Sequence, residues 1–471
     1  MKGLEAAEIP YSSLNEQARI DPEYFKKRYL REDAERERFS NHPLGTQAFI
    51  TDGQHGYHVV DETSPISMLT AKNARGWFAT TEDADPIADW VHQNNQRSSL
   101  EKDDLIISTR GTVGLCALVT PESLPANIDQ DVARVAFNQD SVFNPYFVLA
   151  YLNSAFGQDW LNRNATGMVQ QGVSLEKLRL LPLPQLSIRF QEEVRDAVKS
   201  ALRKNVSSRY AYAQAEALLL RELGLEGWQP PEPLAYESTF SQAWGDGRLD
   251  AEHFQPKYAA MLERVKQVAP RCRNVADFAT FCDRGAQPLY SEEGTLAVVN
   301  SRHILENGLD YDNFERAHAS QWNHTNFVSA RIERGDVLTY MTGANVGRTA
   351  VYLSDEQALA SNEVNILRTN QENPVYVAAV INSMVGRMQT RGSVTGSAQA
   401  HLYPSDIKKF LIPFVSDDVQ QQIVQAIETA HQARRQSKQL LEAAKRAVEM
   451  AIEDSEDAAL ALLTQATTEP E

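Results

Sequence analysis

The sequence predicts an α+β protein: two similar globular α/β domains separated by a pair of long antiparallel helices, arranged as a pseudo-twofold internal repeat. Three observations predict it. Two helical stripes of equal length occur in the 471 residues, a motif recurs at a fixed offset, and short β-rich runs hold the same place in each copy.

The first stripe runs from Phe190 to Glu222. Apolar residues fall at Phe190, Val194, Ala197, Val198, Ala201, Leu202, Val206, Tyr210, Ala213, Ala217 and Leu220, the three-to-four spacing of a helix with one buried face. Glu192, Glu193, Arg195, Lys199, Arg203, Lys204 and Arg209 occupy the other face. A helix of ~33 residues spans ~50 Å, more than one ordinary domain encloses. Its partner is 419–451, with Val419, Ile423, Ala426, Ile427, Ala430, Ala433, Leu440, Leu441, Ala444 and Val448. Helix pairing, and docking of further chains, is expected to run through Phe190, Val194, Val198, Leu202, Val419, Ile423, Ile427, Leu441 and Val448.

The duplication organises the rest. Arg19-Ile-Asp-Pro-Glu-Tyr-Phe25 recurs as Arg248-Leu-Asp-Ala-Glu-His-Phe254, an offset of 248 − 19 = 229. Leu69-Thr-Ala-Lys-Asn73 matches Val299-Asn-Ser-Arg-His303, and 104–114 matches 336–347, with offsets of 230 to 233. Leu152-Asn-Ser154 with Ile381-Asn-Ser383, Thr166, Gly167 and Gln170 with Thr395, Gly396 and Gln399, Pro184 with Pro413, and Phe190-Gln191 with Val419-Gln420 return to 229. Two copies with short insertions produce such a drift.

Each copy follows one plan. Leu105–Ser108, Val337–Tyr340, Val132–Phe137 and Val364–Leu367 are β-branched or apolar runs and predict strands. Gly111–Gly114 and Gly343–Gly347 follow a strand directly and predict tight loops. Pro145–Phe156 and Pro374–Met384 predict short helices; Leu178–Pro184 and Ile407–Pro413 predict strands stopped by proline. The boundaries expected are a first domain at 1–187, a long helix at 188–224, a Pro-rich connector at 225–245, a second domain at 246–415, a second long helix at 416–453 and an acidic, poorly ordered tail at 454–471.

Hydrophobic content of 42% and charged content of 23% fit a globular chain. With no long apolar run, neither a membrane nor a secretory route is expected, and the reading is cytoplasmic. Cys116, Cys272 and Cys282 lack metal or redox spacing, so no metal site is expected; His55 and His58 alone do not make one. The net charge of −17 opposes a simple nucleic-acid binder. Its distribution matters more: 453–471 contributes −6, whereas Gly386–Lys409 sets Arg387, Arg391, Lys408 and Lys409 against Asp406, a local +3. No phosphate loop and no glycine-rich cofactor loop is found. Asn144-Pro-Tyr-Phe147 reads as a helix start, and Asp129-Gln-Asp131 lacks a matching acidic pair in copy two.

The whole plan resembles the specificity (S) subunit of type I restriction–modification systems. The residues that carry the resemblance are the Arg248–Phe254 motif and its copy, Gly335-Asp-Val-Leu338 before Gly343–Gly347, Ile381-Asn-Ser383, Gly396-Ser-Ala-Gln399 and Gln420-Gln-Gln-Ile423. Copy one departs from it, with Lys102-Asp103-Asp104-Leu105 where copy two has Gly335-Asp-Val-Leu338. The resemblance implies two target-recognition domains reading a bipartite site in double-stranded DNA, two long spacer helices, two methyltransferase subunits docked on the chain, and restriction/motor subunits joining through them. It implies no catalytic residue and no cofactor in this chain; S-adenosylmethionine belongs to the methyltransferase partner, ATP and magnesium to the motor partner.

Base reading requires Arg for guanine and Asn or Gln for adenine at loop tips. The candidates in copy one are Gln54, His55, Lys72, Arg75, Arg110, Thr112, Arg163, Gln170 and Gln171. Those in copy two are Arg284, Gln287, Arg302, His303, Asn345, Arg348, Arg391, Ser393, Thr395, Ser397 and Gln399. Lys72/Arg302 and Gln170/Gln399 hold equivalent places. The competing readings are a stand-alone DNA-modifying enzyme and a duplicated protein-interaction scaffold without DNA binding.

Overall fold

The computed structural model describes residues 8–9, 21–167, 171–305, 308–396 and 399–468. The chain divides into two compact units: Met1–Asn205 with Arg435–Glu471, and Val206–Arg434. Ile188–Glu222 and Asp417–Glu453 are each one helix. Each contributes one half to either unit.

In the first unit, β1 (Ala48–Asp52), β2 (Ser67–Leu69), β3 (Asp85–Pro86), β4 (Leu105–Ser108), β5 (Cys116–Leu118), β6 (Ala126–Ile128) and β7 (Val132–Phe137) form two sheets. A four-stranded sheet has the order β1-β7-β4-β5, every neighbour antiparallel. A three-stranded sheet has the order β3-β2-β6, with β2 and β6 parallel.

The second unit repeats this with β8 (Ala279–Arg284), β9 (Leu296–Val299), β10 (Glu315–Ala317), β11 (Arg331–Ile332), β12 (Val337–Tyr340), β13 (Thr349–Val351), β14 (Ala358–Ala360) and β15 (Val364–Thr369). Its sheets are β8-β15-β12-β13, again antiparallel throughout, and β10-β9-β14-β11, with β9 and β14 parallel. The duplication predicted from sequence is a duplication of topology; β11 is the added strand.

Within each unit the two helix halves pack antiparallel on the domain core. In the first, Phe190, Val194, Val198 and Ala201 share one buried cluster with Leu441, Ala444, Val448 and Ile452, and with Phe147, Leu149 and Leu183 of the domain. In the second, Ala215, Leu219 and Leu223 join Ile423 and Ile427. Val419 is half-buried against that cluster, and Leu202 is half-buried in its own unit. Burial recurs every seventh residue, at Val194, Ala201, Ser208 and Ala215, and at Ile423, Ala430, Ser437, Ala444 and Ala451. A period of 3.5 is that of a left-handed coiled coil.

That period corrects the predicted stripe. Tyr210 is 65% exposed, and Ala213 and Ala217 are exposed too. The apolar residues drift off the seam there, and a serine takes the seam position instead. The predicted strands at 178–184 and 407–413 each prove to be a short helix (Leu175–Arg179, Pro404–Ile407) followed by a strand (Pro182–Pro184, Leu411–Phe414). The connector contains a helix, Phe240–Asp246. The acidic tail is a correction as well: Glu456–Thr468 is helical, with Ala459 and Leu463 buried in the first unit's core. Its acidic residues sit in the first turn, where the helix dipole favours them, and Glu456 also accepts from the Ser187 backbone N–H at 2.9 Å.

Candidate nucleic-acid interface

Antiparallel pairing gathers loops. In the first unit β1 and β4 end where β5 and β7 begin, so 53–58, 109–115 and 129–131 leave one edge of the four-stranded sheet. The backbone N–H of Asp129 donates to Leu69 O at 3.1 Å, which brings the turn Ala71–Ala74 to the same edge. The segment after Thr166 is tied on as well: Gly111 N–H donates to Gln171 O at 3.2 Å, and Thr166 and Arg110 both bridge to Gly172. One edge therefore carries Gln54, His55, Lys72, Arg75, Arg110, Thr112 and Gln171. Gly53 makes this fit: a Cβ there would lie 1.7 Å from Ile128 O.

Charge at this edge is mixed. His55 Nε2 is 2.9 Å from Asp52 Oδ2, and Arg97 is 3.4 Å from the same carboxylate. Arg110 Nη1 is 3.3 Å from Asp131 Oδ1. Burial pushes the Asp129 carboxyl up to about 6.

The second unit builds the equivalent edge. Arg284 closes β8 and Gln287 follows it. Gly285 plays the part of Gly53, its Cβ position 2.1 Å from Ala360 O. Gly343 N–H donates to Ala400 O at 2.9 Å, and Thr342 and Thr395 both bridge to His401. Ser361 N–H donates to Val299 O and Ser301 Oγ to Glu363 Oε2, both close to 2.9 Å, so the turn Ser301–His303 belongs here. This edge carries Arg284, Gln287, Arg302, Asn345, Arg348, Thr395 and Gln399, with Arg391 and Ser393 in the helical turn that leads into it. Lys72 and Arg302 hold the same exposed position in corresponding turns, as the offset predicted; Arg302 also pairs with Glu315.

Two sequence candidates are corrected. Arg163 is buried: its Nε donates to Tyr24 O at 2.7 Å, its Nη1 to Asp33 at 2.6 Å, and its guanidinium lies 4.1 Å from the centre of the Tyr24 ring. It holds the N-terminal segment to the helix Ala155–Asn164 and is no base reader. His303 is 1% exposed and its Nδ1 accepts from the Asn300 N–H at 3.0 Å. Burial and the neighbouring Arg302 push it down to about 4, so it is a neutral turn-former. Gln170 and Ser397 lie outside the described residues. Asn144 caps its helix, accepting from Phe147 N–H at 2.8 Å, as expected for a helix start.

Sequence reasoning missed the residues that hold the loops. Arg248 of the recurring motif donates to the carbonyls of Ser393 and Val394 at 2.6 and 2.9 Å, where the helix Met384–Ser393 gives way to the loop. Arg134 Nε donates to Asp104 at 2.7 Å, and Arg368 makes a bidentate pair with Asp336 at 2.8 Å. Asp104 and Asp336 also accept from the Glu101 and Glu333 N–H groups, closing the turn that starts β4 or β12. Asp103 (φ 68°) is the residue placed like Gly335 (φ 94°), which resolves the motif departure: an aspartate takes the left-handed position.

No protein-family model matches the chain, and no curated protein matches it. Solved structures similar to it include the following three. The S subunit of a type I restriction–modification system from M. genitalium is 11% identical, with 90% of this chain and 96% of that one covered and a TM-score of 0.40. A chain from work on complex assembly and conformational transition of the type I R-M system is 15% identical, covering 91% and 97%, with a TM-score of 0.28. The HsdS subunit from Thermoanaerobacter tengcongensis is 14% identical, covering 91% and 96%, with a TM-score of 0.27. Each of these similarities spans 90–91% of this chain.

Proposed function

We propose that this chain is the sequence-specificity subunit of a type I restriction–modification complex. Each unit reads one half of a bipartite site in double-stranded DNA with its loop-bearing sheet edge. The observation that carries this reading is the duplication of that edge, with glycine-closed loops presenting Arg and Gln tips in both copies. Two methyltransferase subunits dock on faces of the long helices left outside the seam, and restriction/motor subunits join through them. The chain is not itself catalytic; S-adenosylmethionine is held by the methyltransferase partner, and ATP and magnesium by the motor partner. Phosphate contacts supplied by those partners offset the chain's charge of −17.

The test is methylation of a random-sequence duplex library by the chain co-purified with its methyltransferase subunits. A two-part motif is expected, and exchanging residues 259–415 for another second domain is expected to rewrite one half alone. A complex that binds random duplex as tightly as its own methylation site overturns the reading.

A further inference from the structure

Arg110 is a basic candidate whose backbone is pinned from both sides while its guanidinium is half exposed. On one side Thr109 N–H and Oγ1 both donate to Asp131 O, at 2.8 and 3.0 Å. On the other, Val173 N–H donates to Thr109 O at 2.9 Å and Gly111 N–H to Gln171 O at 3.2 Å. The side chain is half exposed, and one guanidinium nitrogen, Nη1, is 3.3 Å from Asp131 Oδ1. Asp131 is fixed in its turn, its N–H donating to Asp129 Oδ1 at 3.1 Å. A carboxylate at one corner of the guanidinium orients the fork, and half of the side-chain surface stays exposed. Preorganisation of this kind lowers the ordering cost that a free surface arginine bears on binding.

We infer that Arg110, positioned by Asp131, reads a guanine in the major groove through its O6 and N7, in the half-site assigned to the first unit. The inference rests on the proposed function. At the matching position of the second unit Thr342 stands in place of Arg110 and bridges to His401 as Arg110 does to Gly172, and Glu363 in the matching turn accepts from Ser301 instead. The two units therefore differ at this position.

The experiment compares the wild-type complex with R110A, R110K and D131N complexes on a duplex library, scoring methylation at each motif position. R110A is expected to lose roughly tenfold to a hundredfold of its preference for guanine at one position of one half-site, with the other half-site intact as the control for folding. D131N is expected to weaken the same position less, and R110K not to restore it, because an ammonium lacks the fork. Replacing that guanine by 7-deazaguanine, which lacks N7, should impair the wild type and leave R110A unchanged. If R110A keeps the preference and instead binds every sequence more weakly with a shallower salt dependence, Arg110 touches phosphate and the inference is overturned. If the wild type shows no two-part motif, the proposed function falls first; a wild-type motif untouched by R110A overturns the inference alone.

Discussion

The hydroxyl of Ser208 donates to the carbonyl of Ala430 at 2.8 Å, buried in the seam between the two long helices of the second unit. Adding 229 to Ser208 gives Ser437, whose hydroxyl donates to Ala201 O at 2.7 Å in the first. Ala430 is in turn Ala201 plus 229. One contact is thus made twice. Each serine satisfies its own donor and, being small, lets the helices approach closely. Serine to alanine is expected to cost about 1 kcal/mol at either site, measured by urea unfolding of the full chain. The two costs should add, since the sites share no partner. Serine to leucine should cost more, roughly 1–3 kcal/mol, through overpacking.

Stability should fall on acidification through His303. Its folded value, about 4, lies below the ordinary 6.5 because burial disfavours the charged ring. The unfolded chain therefore binds the extra proton first. The contribution is complete above pH ~6.5 and is lost as pH falls towards ~4, at most about 3 kcal/mol. In the first unit Asn73 does the same job without a titratable group, its Oδ1 accepting from Thr70 N–H at 2.9 Å. His303→Asn should flatten the acid limb of melting temperature against pH; an unchanged limb would assign it to other groups.

Glu32 acts in the opposite sense. Burial and the nearby Asp159 carboxyl raise its folded value well above the carboxylate range. Its contribution is present at low pH and lost as pH rises through the raised value. Glu32→Gln should remove that loss, measured by thermal melting between pH ~4.5 and ~8.

Gly53 and Gly285 support the proposed reading edges. Alanine at either would drive Cβ into a backbone carbonyl, at 1.7 Å from Ile128 O or 2.1 Å from Ala360 O. Backbone must move, so each substitution should cost roughly 2–4 kcal/mol. Gly53→Ala should blur the first unit's half of the methylated motif, Gly285→Ala the second unit's. Loss of both halves from either change would contradict independent edges.

What the sequence revealed followed from how each feature is encoded. The repeat is visible because both copies keep the same residues in the same order, and strands such as Val132–Phe137 are visible because β-branched runs carry their own signal. Ser208 and Ser437 were invisible: hydropathy treats a serine as surface, whereas a helix seam can hide one by bonding it to a carbonyl. The helix Glu456–Thr468 was hidden by its charge, although Ala459 and Leu463 carry its packing. Arg163 was mistaken for a reader because burial of an arginine depends on partners far away in sequence, here Tyr24 and Asp33.

Arg248 links the recurring motif to the proposed reading edge of the second unit. Its fork is held by Asp250 at 2.7 and 2.9 Å, and its donors reach the Ser393 and Val394 carbonyls, at the end of the helix. A cation at a helix C-terminus is favourable there as well. His253 Nδ1 adds a contact to Gly392 O at 2.6 Å. Arg248→Ala should therefore release the start of the loop that bears Thr395 and Gln399, at a cost of about 2 kcal/mol. Discrimination should drop in the second unit's half-site while the first stays sharp. Arg248→Lys should recover part of the stability but little of the discrimination, because an ammonium cannot serve two carbonyls and a carboxylate in one plane. Equal loss in both halves, read from per-position methylation, would mean that the motif supports the chain as a whole and not one reading edge.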